Sequence, residues 1–494
     1  MGISRGFLEI DFVEPRHLEV SERIRNFNEF TSTLDNQEAM AQAGRCMDCG
    51  IPFCTYRCPL RNNMPDFNQC VSDGDLAEGY RVLERTSCFP EITGRICPAP
   101  CEEGCTLGLH HRAVGIRSIE RKLADYAFAH GLIRPWSSPQ SSGRSVAIIG
   151  SGPAGMACAQ NLARMGHAVT VYEKNQRPGG LLRYGIPDFK LQKELLDRRL
   201  TQLRQEGVNF ITGCLVGEAT QLERGIWNDA TTSIAPAALL SEHDAVVICC
   251  GCETPRDLPR TGRELDGIHF ALDFLIAQNV ENYDGRANPI EVRGREVVVI
   301  GGGETASDCV GTAIRKGAAG VTQIDYHERL PETVEIHAVW PGPRRVFYST
   351  TSHEEGCTRL FAQNTLEFRG QGRVEAVTLQ EVRWGRGREF HPVSDATTAI
   401  PCDVALIAMG YAHPGQGLVR AFGAATDARG NVAAALTGPR AFRTSVERLF
   451  AAGDGRLGQS LVVNAIAEGR DCALAVDRFL MEPGAEWGEP APAP

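Results

Sequence analysis

Two stretches of the chain repeat one pattern: a continuous apolar run ends in a glycine-rich turn and opens into a helical segment. The first is Ser145-Val146-Ala147-Ile148-Ile149-Gly150, followed by Ser151-Gly152-Pro153-Ala154-Gly155. The second lies about 150 residues further on: Glu296-Val297-Val298-Val299-Ile300-Gly301, followed by Gly302-Gly303-Glu304-Thr305-Ala306. A short apolar run bounded by glycine reads as a strand buried on both faces, the form found in parallel sheets covered by helices. Two further runs, Ala245 to Gly251 (AVVICCG) and Asp403 to Gly410 (DVALIAMG), end the same way. The pattern predicts two related strand–helix–strand units, each on its own parallel sheet.

The turns themselves carry chemistry. In G-x-G-x-x-G the first glycine permits the tight turn, the second lets a pyrophosphate approach the backbone, and the third lets helix pack on strand. The helix N-terminus adds free N–H groups and the positive end of its dipole. Gly150, Gly152 and Gly155 fill these places in the first unit, and Glu173, ending the next strand, suits an unphosphorylated ribose. In the second unit the places fall to Gly301, Gly303 and Ala306, an allowed variant, with Glu304 and Thr305 opening the helix. Its next strand runs into Asp325, His327 and Arg329. A lone acid there favours NADH, whereas the two basic side chains suit the 2′-phosphate of NADPH, and the reading favours NADPH.

Two such sites in one chain imply a two-dinucleotide flavoprotein with two Rossmann-like domains, one for FAD and one for NADPH. Other segments resemble that class. Gly179 to Pro187, with Gly180, Leu181 and Arg183, is similar to the segment along the flavin side of FAD. Ala451 to Asp454, with Gly453 and Asp454, is similar to the late FAD motif, and Asn464 and Ala465 begin a helix aimed at the isoalloxazine. Cys249-x-x-Cys252 has the spacing of a redox dithiol, but small residues packed at a strand end explain it better.

The chain has 494 residues, 43% of them apolar, and a formal net charge of −10 without a basic run, which argues against nucleic acid as the main partner. No apolar stretch reaches the ~18–20 residues of a membrane helix. The first fifteen residues do not read as a signal peptide, and Gly6 breaks a myristoylation signal at Gly2, so a cytoplasmic location is expected. Nine of the 18 cysteines lie between Cys46 and Cys105. In a long chain of this kind that density points to metal or redox chemistry rather than disulfides.

The cysteines form two motifs, Cys46-x2-Cys49-x4-Cys54-x3-Cys58-Pro59 and Cys97-Pro98-x2-Cys101-x3-Cys105. Zinc takes four cysteines too. Beside a flavin, however, a one-electron acceptor is called for, and two [4Fe–4S] clusters are expected. Seven motif cysteines leave an eighth ligand open. Glu120 is the candidate, its alternative being an exposed helix charge, and which cysteine serves which cluster stays open because ligands interleave in two-cluster ferredoxins.

Over nearly its whole length the chain resembles the small (beta) subunit of bacterial glutamate synthase. The resemblance rests on Arg45 to Cys54 (RCMDCGIPFC), Phe89 to Glu102 (FPEITGRICPAPCE), the two dinucleotide units, and Ser352-His353-Glu354-Glu355-Gly356, to which no role attaches. It implies oxidation of NADPH at FAD and export of electrons through two [4Fe–4S] clusters. The recipient would be a large (alpha) subunit carrying FMN and a further iron–sulfur cluster, where glutamate is made from glutamine and 2-oxoglutarate. Alternatives are an input module of the dihydropyrimidine dehydrogenase or ferredoxin:NADP reductase kind, a redox-inactive scaffold subunit, and a zinc-binding head on a flavoenzyme. The expected layout is a mainly α-helical iron–sulfur domain over 1–140 and a first FAD segment over 145–275. An inserted NADPH domain over 276–415, a second FAD segment over 416–482 and a frayed tail over 483–494 follow.

Overall fold

The computed structural model describes residues 5–218, 222–335, 339–385, 389–482 and 487. The head is helical: α1 (Asn36–Gly44), α2 (Met64–Ser72), α3 (Leu76–Glu84), α4 (Pro90–Ile96) and α5 (Ile116–Ala129). Asp35 caps α1, accepting from the Glu38 N–H while the Glu38 carboxylate accepts from the Asp35 N–H. That reciprocal box satisfies two otherwise free donors. On α5 the buried residues Ile116, Ile119, Leu123 and Ala127 fall at helical spacing and form one stripe. The stripe packs on a core that includes Phe67, Val71, Leu83 and Ile92.

The buried Arg199 guanidinium grips the buried Glu91 carboxylate with two bonds of 2.7 Å, fastening α4 to the domain that follows. That domain contributes β1 (Ser145–Ile149), α6 (Pro153–Arg164), β2 (Ala168–Tyr172), α7 (Lys193–Gln205), β3 (Asn209–Ile211), β4 (Cys214–Val216), β5 (Thr232–Ile234) and β6 (Ala245–Ile248). The chain then builds β7 (Ile268–Phe270), α8 (Ala271–Asp284), β8 (Glu296–Ile300), α9 (Glu304–Arg315), β9 (Gly320–Ile324), α10 (Thr351–Glu354) and β10 (Thr358–Leu360). An antiparallel trio, β11 (Gln363–Arg369), β12 (Ala376–Trp384) and β13 (Phe390–Pro401), leads to β14 (Val404–Ile407). Last come β15 (Leu449–Ala451) and α11 (Val462–Met481).

Both large sheets are parallel and five-stranded, with orders β15-β6-β1-β2-β3 and β10-β9-β8-β14-β7. In each, the strand before the glycine turn has its successor on one side and a later strand on the other. Ile149 aligns with Tyr172 and Ile248, and Ile300 with Ile324 and Ile407. That reversal opens a crevice at the strand ends, where ligands of such sheets bind.

The chain departs from the expected layout at 275. β7 pairs with β14 in the second sheet, so the change of sheet precedes β7 and position 275 falls inside α8. Three residues, Ile-His-Phe, are too few to show a strand period, whereas the helix after them is easily seen. Of the 483–494 tail only Trp487 is described; it packs edge-on against Phe450 and Phe479, so this part of the tail is tied down. Among the described residues no helix is long and apolar enough to cross a membrane.

Candidate functional site

The first glycine turn is built to three different tolerances. Gly150 has φ +98°, and a Cβ there would crowd the Cys249 carbonyl. A Cβ on Gly155 would overlap the Gly150 carbonyl oxygen, so α6 sits directly on β1. Gly152 faces open space within 4 Å. That gap is a cradle a side chain would fill, at the N-terminus of a twelve-residue helix. Glu173 is buried and already anchored: Oε2 accepts from Ser151 N (3.0 Å) and Oγ (2.5 Å), and Oε1 from Asn175 N (2.9 Å). Burial raises its carboxyl pKa, and these bonds oppose the rise. Gly180, at φ +52°, lies against the Gly152 Cα, folding the segment after Pro178 back over the turn. Asp454 follows Gly453 (φ +74°) and accepts from Ser460 Oγ at 2.6 Å.

The second turn repeats the plan. Gly301 (φ +144°) is pressed on the Ala408 carbonyl, and Gly303 faces open space at the start of α9. Gly302 carries the Asp325 carboxylate directly above it. Asp325 Oδ1 accepts from the His327 backbone N–H (2.9 Å) and lies 3.0 Å from His327 Nδ1, and the His327 ring stacks on Trp384. Glu304 accepts from Tyr348 Oη (2.8 Å) and Lys190 Nζ (3.1 Å).

Both turns open into one cavity of about 800 Å³. Gly150, Gly152, Glu173, Gly180, Leu181, Asp454 and Ala465 line it from the first unit, and Gly301, Gly303, Glu304, Thr305, Asp325 and His327 from the second. Gly155, Ala306 and Gly453 shape the turns without lining it, and Asn464 lies between the lining residues Val462 and Ala465. Two side chains differ from expectation. Arg183 is fully buried, its Nε donating to the Pro178 carbonyl (2.7 Å) and its Nη2 pairing with Asp197, so it braces the flavin-side segment from beneath. Arg329 turns away to Glu332 and the Phe347 ring, so of these two basic residues His327 alone reaches the cavity wall. The Cys249–Cys252 pair is a packing feature: burial pushes the Cys252 thiol up to about 12, and its Sγ donates to the Asp454 carbonyl.

The motif cysteines sort into two neighbourhoods. Burial, then repulsion from Cys105, Cys46 and Cys49, pushes the Cys54 thiol up to about 12. Burial, then Glu120 and Cys58, does the same to Cys97, and Cys101 is pushed well up by burial, Glu102, Cys58, Cys97 and Glu120. Such repulsion marks neighbours, which puts the Cys46, Cys49, Cys54 and Cys105 thiols in one group of four and Cys58, Cys97, Cys101 and Glu120 in the other. The motifs interleave: each lends its last cysteine to the other. Glu120 is buried rather than an exposed helix charge; it accepts from Thr93 Oγ1 at 2.7 Å, and no cation pairs with it among the described residues. Burial pushes its carboxyl up to about 7. Buried thiols and a carboxyl that resist ionisation are what a positively charged centre would stabilise. Among the described residues no three His, Cys, Asp or Glu side chains converge on a single-ion site. Cys70 and Cys88 stand outside both quartets, Cys88 accepting from Asn161 Nδ2. Ile96, next to Cys97, lines the dinucleotide cavity, a contact without any local sequence signal.

Comparison with known proteins agrees with this division. Residues 23–132 match the family described as dihydropyrimidine dehydrogenase domain II, 4Fe-4S cluster, and residues 144–469 match pyridine nucleotide-disulphide oxidoreductase. The glutamate synthase [NADPH] small chain of Mycobacterium tuberculosis is 43% identical over 476 residues, covering 94% of this chain and 93% of that one. That of Bacillus subtilis is 36% identical over 97% of this chain and 99% of its own. Among solved structures, the His57Gln mutant of FprA from Mycobacterium tuberculosis shares the fold of 68% of this chain and 84% of its own, at 17% identity and a TM-score of 0.51. Matched end to end at such identity, the chain belongs to the family of glutamate synthase small chains.

Proposed function

We propose that this chain is the electron-input subunit of a glutamate synthase. It oxidises NADPH at FAD and passes electrons through [4Fe–4S] clusters. One observation carries the reading: both dinucleotide turns open into a single cavity whose wall includes Ile96, beside one cysteine quartet. FAD bound in this cavity would supply a hydride acceptor for the nicotinamide, and clusters held by the cysteines would supply one-electron acceptors.

The chain's own residues bind and orient. The Gly152 and Gly303 turns receive the two pyrophosphates. Glu173 holds the FAD ribose, Asp454 the ribityl chain, and His327 the 2′-phosphate end of NADPH. Cys46, Cys49, Cys54 and Cys105 hold one cluster; Cys58, Cys97, Cys101 and Glu120 hold the other. The second quartet is nearer the flavin cavity. The first sits beside exposed Ile51 and Tyr56, the surface where a large subunit carrying FMN and a further cluster would collect electrons. The head spans 5–140, and the FAD unit joins residues 145–253 to 416–482 around a nucleotide unit between them.

The purified chain should show flavin absorbance, reduce an artificial dye with NADPH, and give a cluster EPR signal after reduction. It should form no glutamate from glutamine and 2-oxoglutarate until the large chain is added. Glutamate formation by the chain alone, or a flavin that NADPH leaves oxidised, would overturn the assignment.

A further inference from the structure

The Ser352–Glu355 stretch does not line the cavity, yet it knots the molecule together. The Glu355 side chain is fully buried between two arginines. Its Oε1 accepts from Arg23 Nε (2.8 Å) and Arg315 Nη2 (2.9 Å), and its Oε2 from Arg315 Nη1. Arg23 Nη2 also donates to the Thr351 carbonyl (2.7 Å) and to Glu354 (3.3 Å). Arg23 and Glu355 are 332 residues apart in sequence.

Arg23 begins a short segment that reaches every part of the molecule. Asn26 accepts from Arg315 Nε through its carbonyl, and Phe30 packs near Phe189 of the FAD unit, whose ring lies 3.8 Å from the Arg315 guanidinium. Glu29 accepts from the Gln192 N–H of the FAD unit (3.0 Å) and from Arg95 and Arg121 of the head. Residues 23–30 therefore touch the nucleotide unit, the FAD unit and the head at once. On its other side the same motif grips the nucleotide turn. His353 Nε2 lies 2.7 Å from Gln323 Oε1, and Gln323 Nε2 donates to the carbonyl of Gly301 (2.8 Å). Thr350 Oγ1 meets Ser307 Oγ in the first turn of α9 at 2.6 Å.

Buried ion networks add little net stability, because desolvation offsets their attraction, but they do fix geometry. Fixed geometry matters here: two units joined by two chain crossings move freely unless their interface is tied. Hydride transfer also requires the reacting atoms to approach within roughly 3–3.5 Å. We infer that residues 23–30 form a clasp that holds the nucleotide unit in the orientation for hydride transfer, with Arg23 and Glu355 as its positioning residues. The inference rests on the reading that NADPH reduces FAD in this cavity.

Stopped-flow reduction of the holoprotein over a range of NADPH concentrations separates saturation from the limiting rate. Arg23→Ala and Glu355→Gln should each slow the limiting rate about tenfold or more, the effect of an ångström-scale misplacement. Neither touches the nucleotide turn, so half-saturation should stay within about threefold, and Arg23→Lys, which keeps the charge but not the fork, should fall between. FAD and iron content show whether each variant folds; if Arg23→Ala loses its cofactors, Glu355→Gln and Arg23→Lys carry the test. Limiting rates within about twofold of wild type, or a change confined to half-saturation, would overturn the clasp. A wild-type flavin that NADPH does not reduce would sink the underlying reading instead.

Discussion

Gly303→Ala separates a glycine kept for the ligand from one kept for the fold. Gly303 is extended (φ −91°, ψ −177°), a conformation alanine adopts freely, and no atom lies within 4 Å of its added Cβ. The substitution should therefore leave stability without nucleotide within about 0.5 kcal/mol. The methyl would occupy the cradle where the pyrophosphate must meet the backbone. Losing one hydrogen bond to a charged group there costs about 1.5–3 kcal/mol, or roughly 10- to 150-fold in Kd. Calorimetric titration with NADP+ avoids turnover and reads this directly, and thermal unfolding without nucleotide reads the fold. Gly302→Ala and Gly155→Ala are the contrast, since their Cβ atoms would overlap the Asp325 carboxylate and the Gly150 carbonyl, so both should lower the melting temperature. NADP+ affinity within about twofold of wild type in Gly303→Ala would refute the pyrophosphate cradle.

The remaining expectations concern the quartets, the head and pH. Cys54→Ala and Cys105→Ala should erase one EPR component, and Cys97→Ala and Glu120→Ala the other; loss of the Cys54 component in Glu120→Ala would contradict the partition. Arg199→Met leaves the Glu91 carboxylate buried without its cation, at a cost of about 3–5 kcal/mol. Denaturant unfolding should show a lower midpoint, partly restored by adding Glu91→Gln. Burial, aided by Arg359, lowers the His353 pKa from 6.5 to about 4. The unfolded chain therefore binds this proton more readily than the folded one. The stability contributed by neutral His353 is intact above about pH 6.5 and fades as pH falls toward 4. Melting temperatures between pH 7.5 and 5 should fall more steeply in wild type than in His353→Gln, and parallel profiles would exclude His353 as the titrating group.

What the sequence disclosed was local. Gly150, Gly152 and Gly155 are spaced by the geometry of one turn, and Val146 to Ile149 advertise burial through their own side chains, so both could be read in place. Glu120 could be suspected because seven cysteines left a ligand missing, but its burial depends on Ser87 and Thr93, far from it in the chain. Interleaving could be expected from two-cluster ferredoxins, but which cysteine crosses over depends on contacts between the two motifs that no spacing records. Arg183 looked like a cofactor contact because its neighbours line the cavity, yet its long side chain folds beneath them. The Arg23–Glu355 pairing could not be read in advance: Glu355 stood in a motif without a role, and Arg23 reads as an ordinary surface charge until the chain brings them together.

The split of the FAD sheet bears on how the chain is made. Five parallel strands of the nucleotide sheet all lie between residues 268 and 407, so that sheet can close while the C-terminus is still being synthesised. The other sheet cannot. β6 waits some 200 residues for β15, and α11, whose Gly469 rests on the Ala154 carbonyl, comes later still. At roughly 5–20 residues per second the β6 edge stays open for ~10–40 s of translation, a bare edge of the kind that recruits foreign strands. A ribosome that stops between β14 and α11 releases a chain with a finished nucleotide unit and an unfinished flavin unit, a substrate for chaperones and proteases rather than a partly active enzyme.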